Sequence, residues 1–169
     1  MHIRDATPAD FPAILALNQT FVAVLSPLDE ARLAHLHAQA AQHRVIERDG
    51  EVLAFLLTLR EATDYDSPNY RWFAARYPRF LYVDRIVVSA SAQGLGAGRQ
   101  LYRDAYQHAR GHALPVLVCE YDIAPPNPAS ARFHAGLGFR EVGMQTLGAG
   151  KQVSLQALQI AADTPLSRG

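Results

Sequence analysis

The spacing of apolar residues changes along the chain, and each change predicts a different element. A short strand-like run covers 2–6, and apolar residues then recur with a helical period up to residue 25. Thr7 and Pro8 suit the N-cap and the first position of that helix. A second helical pattern covers roughly 28–41. The beginning of the chain therefore predicts one strand followed by two helices.

Alternating and fully apolar runs predict the strands of the remaining chain. Two strand-like runs at 43–48 and 51–59 flank Asp49-Gly50, a pair typical of a hairpin turn. Further along, a strand, a helix and a second strand follow one another, which predicts a right-handed crossover between parallel strands. The later predicted elements are strand 80–89, helix 95–111, strand 114–121, helix 128–136 and the strands 139–146 and 151–159.

The segment 61–79 departs from both patterns. It is rich in Asp, Tyr, Pro and Arg, and it predicts a long irregular connection with interspersed aromatic residues. Such a segment inside a small domain is usually functional, although packing over a sheet edge would also explain it. Its aromatic residues are Tyr65, Tyr70, Trp72, Phe73 and Tyr77.

Composition and charge narrow the class of protein. The chain has 169 residues, of which 49% are hydrophobic and 19% charged, values typical of one globular domain. It carries 16 basic and 16 acidic residues, and this balance argues against a nucleic-acid-binding protein. The apolar runs are too short to cross a membrane, and the N-terminus lacks the apolar region of a signal peptide. We therefore expect a cytoplasmic protein.

One domain over 1–160 accounts for all predicted elements, and 161–169 is interpreted as a flexible tail. The single cysteine, Cys119, excludes an internal disulfide and a cysteine-based zinc site, and we expect it to be a buried thiol. No metal site is predicted, because His35 and His37 are two positions apart and do not share a helical face.

The most specific feature is a glycine-rich turn between the strand at 80–89 and the helix at 95–111. Glycines let the backbone approach a ligand closely, and a helix N-terminus presents unpaired N–H groups to an anion. A tight turn with close helix packing is the alternative. Neither the dinucleotide pattern G-x-G-x-x-G nor a P-loop fits. The turn comprises Gln93, Gly94, Leu95, Gly96, Ala97, Gly98 and Arg99.

Two blocks of the sequence resemble motifs of the GNAT superfamily of N-acetyltransferases. Gln93-x-x-Gly96-x-Gly98 is similar to its acyl-CoA pyrophosphate signature, Q/R-x-x-G-x-G/A. The block at 127–139 is similar to its N-x-x-S/A-x-x-F/L-Y-x-x-x-G-F segment. The resemblance implies an α/β fold with a mixed, mostly antiparallel sheet, a central splayed pair of parallel strands, and helices on both faces.

The resemblance also implies acetyl-CoA as co-substrate, and no metal. The pantetheine arm would lie between the splayed strands, and the pyrophosphate would lie on the glycine turn. Asn127 would begin a short helix beside the thiol, although helix capping explains this residue equally well. The residues implied in cofactor binding are Ile86, Val87, Val88, Gln93, Gly94, Leu95, Gly96, Ala97, Gly98, Arg99, Asn127 and Ser130.

Direct transfer of an acetyl group to an amine needs a base, and Glu120 is the first candidate. It ends a parallel strand, where ligands bind in open α/β sheets, and it shares an apolar face with Val116 and Val118. Such a face would raise the pKa of the carboxyl toward neutrality. Glu120 also resembles the glutamate that precedes the Asn block in ribosomal-protein-type acetyltransferases. The alternative role is that of a strand-end glutamate paired with an arginine.

Asp84 is the rival base. Alternation along its strand places it on the same face as Tyr82, Ile86 and Val88, where other branches of the superfamily carry a basic glutamate. A salt bridge to Arg85 or to another arginine, which would order the strand, is the alternative role for this side chain.

A proton donor for the leaving thiol is the remaining catalytic part. His134 occupies the position where the superfamily usually has tyrosine, and its cationic form could donate a proton. It could equally only position the sulfur while water transfers the proton, and Tyr121 and Tyr82 are further candidates. The resemblance implies a backbone N–H of Val87 or Val88 as the donor to the carbonyl oxygen.

The sequence therefore predicts an acyltransferase that moves an acetyl group from acetyl-CoA to a primary amine in a ternary complex. The acceptor would be a small molecule or a peptide, and the aromatic segment Tyr65–Phe80 would line its side of the site. No nucleic-acid or membrane partner is expected. The resemblance is compatible with a homodimer, because members of the superfamily often form dimers, but it does not set the oligomeric state. The alternatives are a non-catalytic acyl-CoA-binding or sensor domain and a transferase for a longer acyl chain.

Overall fold

The fold is built on one seven-stranded sheet. The structure is a computed structural model, and it describes residues 1–23 and 25–162. The strands are β1 (His2–Asp5), β2 (Gln42–Arg48), β3 (Glu51–Arg60), β4 (Leu81–Val88), β5 (Val116–Ala124), β6 (Arg140–Thr146) and β7 (Gln152–Gln159). Their order in the sheet is β1-β2-β3-β4-β5-β7-β6, and all neighbours are antiparallel except β4 and β5.

Helices cover both faces of this sheet, as predicted. They are α1 (Phe11–Thr20), α2 (Glu30–Gln39), α3 (Pro68–Ala74), α4 (Ala97–Gly111) and α5 (Pro128–Leu137), with single 3₁₀ turns at Pro8–Asp10, Ala90–Ala92 and Gly148–Gly150. One face packs on α4 and α5, and the other packs on α1, α2 and α3. Apolar residues on both faces of the central strands produce this three-layer arrangement.

The parallel strands β4 and β5 separate after two residue pairs. Leu81 pairs with Leu117 and Tyr82 with Val118, and no further pairing joins the two strands. Both strands continue beyond that point, each held by its antiparallel neighbour on the other side. The predicted splayed pair is therefore confirmed, and it opens a gap in the middle of the sheet.

The hairpin between β2 and β3 also follows the prediction. Asp49 and Gly50 both have positive φ, 55° and 81°, as a type I′ turn requires. Arg48 pairs directly with Glu51 across this turn.

Three predicted boundaries are wrong. The first helix ends at Thr20 instead of residue 25, because the chain turns so that the carbonyl of Ser26 receives hydrogen bonds from Asn18 and Arg85. The segment 61–79 is not irregular throughout, since it contains α3. Strand β5 runs on to Ala124 because β7 pairs with it along its whole length. Most of the predicted flexible tail, residues 163–169, lies outside the described residues.

Candidate active site

The gap between β4 and β5 opens into a cavity of about 590 Å³. Both strands line it, together with the α1–α2 connection, the start of α3, α5 and the start of β7. This cavity gathers most of the predicted site residues: Asp84, Ile86, Val87, Val88, Gln93, Glu120, Asn127, Ser130 and His134. The glycine turn adjoins it through Gln93.

Glu120 lies at the floor of the cavity with one oxygen free. Oε1 accepts a 2.9 Å hydrogen bond from the hydroxyl of Tyr82, whereas Oε2 is buried without a hydrogen-bond partner. Burial raises the pKa of the Glu120 carboxyl to about 8, an effect that the Tyr82 bond and the nearby Asn69 amide partly oppose. Tyr82, the hydrogen-bond partner of Glu120, packs in one cluster with Val116 and Val118. Glu120 therefore shares an apolar face with these two valines, as predicted. A carboxyl in this state can accept a proton near neutral pH.

Asp84 is held in a buried ion pair. Its Oδ2 accepts a 2.7 Å hydrogen bond from Nε of Arg85, and its Oδ1 accepts one from the Tyr65 hydroxyl. Arg85 also donates to Asn18 and to the carbonyl of Ser26. These contacts fit the alternative role of Asp84 as a salt-bridge residue. Both of its carboxylate oxygens accept hydrogen bonds, and these bonds fix β4 relative to the neighbouring loops.

The face predicted for Asp84 is wrong in part. The pairing of β4 with β3 shifts between Arg85 and Val83, which makes Asp84 the extra residue of a β-bulge. As a result, Tyr82 faces α3, whereas Ile86 and Val88 face α4. The bulge also brings the side chains of Asp84 and Arg85, adjacent in sequence, onto one face.

A second carboxylate at the floor has no counterpart in the sequence-based prediction. Asp122 follows Glu120 by two positions, so both side chains lie on one face of β5. Its Oδ1 lies 3.3 Å from Nζ of Lys151, and its Oδ2 is buried without a hydrogen-bond partner. Lys151 is the only lysine of the chain. Alternation from Glu120 could have indicated Asp122, but nothing local links it to a residue 29 positions away.

His134 is buried, and both of its ring nitrogens are engaged. Nδ1 lies 2.8 Å from the carbonyl of Ser130, and Nε2 lies 2.7 Å from the hydroxyl of Tyr102. Nδ1–H therefore donates to the carbonyl, and Nε2 accepts from the hydroxyl. Burial lowers the pKa of His134, so this surrounding disfavours the cation that the predicted acid role requires.

Tyr121 stacks on the ring of His134 and lines the same cavity. The two ring centroids are 5.5 Å apart, and the planes meet at 28°. The Tyr121 hydroxyl accepts a 3.2 Å hydrogen bond from Gln156, which leaves its own proton available. Cys119, by contrast, faces α4 and is buried, and burial raises its pKa, so it is the inert thiol that was expected.

The glycines of the turn have different roles. Gly94 and Gly96 have positive φ, 77° and 84°, and a Cβ at either would meet nothing within 4 Å. Gly98 is helical, and a Cβ there would lie 3.1 Å from Cζ of Phe133, so this glycine lets α4 pack on α5. The space next to Gly94 and Gly96, at the N-terminus of a 15-residue helix, suits a diphosphate.

The backbone of β4 offers a donor to the gap. The N–H of Ser89 bonds to the carbonyl of Leu53 in β3. Because successive N–H groups of a strand point to opposite sides, the N–H of Val88 points toward β5. Of the two expected donors, Val87 and Val88, this geometry favours Val88. Asn127 caps α5 by accepting from the N–H of Ser130, in agreement with its structural alternative.

Two other kinds of feature are absent from the described residues. Over 1–23 and 25–162 there is no helix long and apolar enough to span a membrane. The same residues contain no group of three or more His, Cys, Asp or Glu side chains placed to hold a metal ion.

Comparison with known proteins links this geometry to one family. Residues 11–139 match the family model described as the Acetyltransferase (GNAT) family. The match spans both sequence blocks. A search of curated protein sequences finds no match.

Solved structures share the fold at low sequence identity. The ribosomal-protein-S18-alanine N-acetyltransferase of Escherichia coli is 19% identical with a TM-score of 0.71, covering 96% of this chain and 97% of that one. An N-acetyltransferase from Staphylococcus aureus Mu50 is 23% identical with a TM-score of 0.73, covering 95% and 98%. The yncA protein of Salmonella typhimurium, solved with its cofactor acetyl-CoA, is 22% identical with a TM-score of 0.72, covering 95% and 94%.

Proposed function

This chain belongs to the GNAT family of acetyltransferases, and from that premise we propose that it transfers an acetyl group from acetyl-CoA directly to a primary amine. Bound acetyl-CoA would supply an activated thioester, and the protein would supply a base, a carbonyl-binding N–H and a proton donor. The observation that carries the proposal is the free Oε2 of Glu120, buried at the floor of the cavity with a pKa of about 8.

The geometry of the glycine turn and the splayed strands supports acetyl-CoA binding. Gly94 and Gly96 leave open space at the N-terminus of α4, where the first N–H groups have no partner within the helix. The gap between β4 and β5 leads from this turn to Glu120. We assign the N–H of Val88 to the carbonyl oxygen, because it points into the gap.

A proton donor for the leaving thiol needs a proton that is not already held in another hydrogen bond. The Tyr82 hydroxyl donates a hydrogen bond to Glu120, and the Tyr102 hydroxyl donates a hydrogen bond to His134. The Tyr121 hydroxyl accepts a hydrogen bond from Gln156 and donates none to another described residue. We therefore propose Tyr121 as the proton donor to the leaving thiol. His134 becomes a positioning residue that holds the rings of Tyr102 and Tyr121.

The decisive experiment compares wild type with Glu120→Gln. Release of thiol from acetyl-CoA is measured over a panel of amines, and CoA binding is measured by calorimetry. We expect the variant to lose about 100-fold or more in turnover while it binds CoA with unchanged affinity. Binding without turnover in wild type, for every amine, would favour the non-catalytic alternative. A cytoplasmic location, a homodimer and the length of the acyl chain stay predictions.

A further inference from the structure

The charges at the floor of the cavity limit what the acceptor can carry. Two carboxylates at the floor have a cationic partner among the described residues. Asp84 pairs with Arg85, and Asp122 pairs with Lys151. Glu120 is the floor carboxyl for which no such partner is found. The floor therefore has an acidic group to offer an incoming molecule, and both of its cations are already engaged.

The floor atoms that lack a hydrogen-bond partner are carboxylate oxygens. Oε2 of Glu120 and Oδ2 of Asp122 are both buried and both lack a partner. The two residues lie on one face of β5, about 7 Å apart along the strand. The side chain of Asp122 is only 7% exposed, so water does not readily satisfy its free oxygen. A ligand that supplies N–H or O–H donors to buried acceptors of this kind gains binding energy from them.

A third ion pair lies at the mouth of the cavity and has less influence. Arg32 bonds to Asp66 at 2.7 Å, but the side chain of Asp66 is 71% exposed. Solvent screens charges at such a position, so the mouth discriminates weakly between ligands of different charge.

We propose that the acceptor is a cationic amine without a carboxylate or phosphate group, bound through the free oxygens of Glu120 and Asp122. This inference rests on the proposed function and names the substrate class for the same cavity. An amine that approaches Glu120 also places its neighbouring groups near Asp122. A donor at that position meets the free Oδ2, whereas an anion meets a carboxylate oxygen that can donate no hydrogen bond to it and finds Lys151 already paired.

The experiment uses pairs of acceptors that differ only in charge. Each amine is offered as its carboxylate and as its carboxamide, for example 4-aminobutyrate and 4-aminobutanamide, with the acid far enough from the amine to keep the two amine basicities similar. The ratio of kcat/KM, carboxamide over carboxylate, is measured with wild-type protein. We expect a ratio of at least 10, and a ratio of 1 or below would overturn the inference.

Two variants change this ratio in opposite directions. Asp122→Asn removes the floor charge and frees Lys151, so the ratio should fall at least fivefold, through a lower KM for the carboxylate. Lys151→Gln leaves Asp122 unpaired, so the ratio should rise. A purely structural role for the pair would reduce both acceptors alike and leave the ratio unchanged. Each ratio compares two acceptors on the same protein, so a loss of folded material cancels.

A binding measurement separates failure of the inference from failure of the proposed function. Calorimetry with CoA-loaded protein reports whether each acceptor binds without requiring turnover. Selective binding of carboxamides without transfer would support the inference and contradict the proposed transferase. Transfer to both members of each pair at equal rates would support the transferase and overturn the inference. Binding of neither member would overturn the inference as well.

Discussion

The Tyr82 hydroxyl donates a 2.9 Å hydrogen bond to Oε1 of Glu120, at the point where β4 and β5 cease to pair. Tyr82 is the last residue of β4 that pairs with β5, and Glu120 lies two positions beyond the last paired residue of β5. The bond fixes the carboxyl across the beginning of the gap and leaves Oε2 for a ligand. The separation of the strands thus creates the space for a substrate and also orients the proposed base.

The rate of acetyl transfer should rise with pH through about 8. Glu120 must be ionised to accept a proton, and burial raises its pKa to about 8. The measurement is kcat/KM against pH from 6 to 10, with an acceptor of constant ionisation over the lower part of that range. Glu51→Gln, an exposed change in the β2–β3 hairpin, is the matched control and should keep the wild-type profile. A flat profile up to pH 9 in wild type would exclude Glu120 as the base.

The raised pKa of Glu120 should also make folding stability depend on pH. The folded state holds a proton that the unfolded state releases above about 4.5, so stability falls as pH rises from about 4.5 to about 8. Glu120→Gln removes this decline. Relative to wild type, the variant should gain roughly 3–5 kcal/mol between pH 5 and pH 9, measured by denaturant unfolding at both values. An equal stability difference at the two pH values would contradict the raised pKa.

Tyr121→Phe and His134→Phe should separate the proton donor from the positioning residue. Loss of the Tyr121 hydroxyl should lower kcat about tenfold or more, because the leaving thiol then loses its proposed proton donor. His134→Phe should lower kcat less and keep the profile, because the neutral ring supplies no proton. If His134→Phe lowers kcat more than Tyr121→Phe does, the assignments are reversed.

Gly96→Ala should weaken CoA binding more than it weakens the fold. Gly96 has a φ of 84°, and an L-residue in that conformation costs roughly 1–2 kcal/mol. A Cβ there meets no protein atom, so any larger loss of CoA affinity comes from crowding the ligand. Calorimetry with CoA and thermal unfolding are the two measurements. Gly111→Ala, at the open end of α4, is the control and should leave CoA affinity unchanged.

Asp84→Asn should destabilise the protein strongly. It leaves Arg85 buried without its charge partner, and breaking a buried ion pair costs about 3–5 kcal/mol. Asp66→Asn breaks the exposed pair with Arg32 and should cost about 1 kcal/mol or less. Denaturant unfolding measures both. The material that stays folded at low temperature should keep the pH dependence of wild-type turnover, because the proposed base is Glu120.

Local chemistry explains which elements could be predicted from the sequence. The hairpin at Asp49-Gly50 and the strand–helix–strand unit follow from turn chemistry and periodicity, and both are present. Helix α3 was missed although it begins with Ser67-Pro68, the same cap-and-proline pattern as Thr7-Pro8. The aromatic composition of 61–79 favoured the prediction of an irregular segment in place of this helix. The premature end of α1 carries no local signal, because it depends on contacts with Arg85.

The sequence by itself determined the order of most strands and helices and the glycine turn, because periodicity and turn residues are properties of neighbouring positions. The resemblance to the GNAT superfamily implied the layered fold and supported Glu120 as the candidate base. Only the tertiary structure decided the state of each group. A β-bulge places Asp84 beside Arg85, both ring nitrogens of His134 form hydrogen bonds, and Lys151 forms an ion pair with Asp122. Burial and charge pairing depend on residues far apart in the chain, and these two effects determine which carboxyl is free to react.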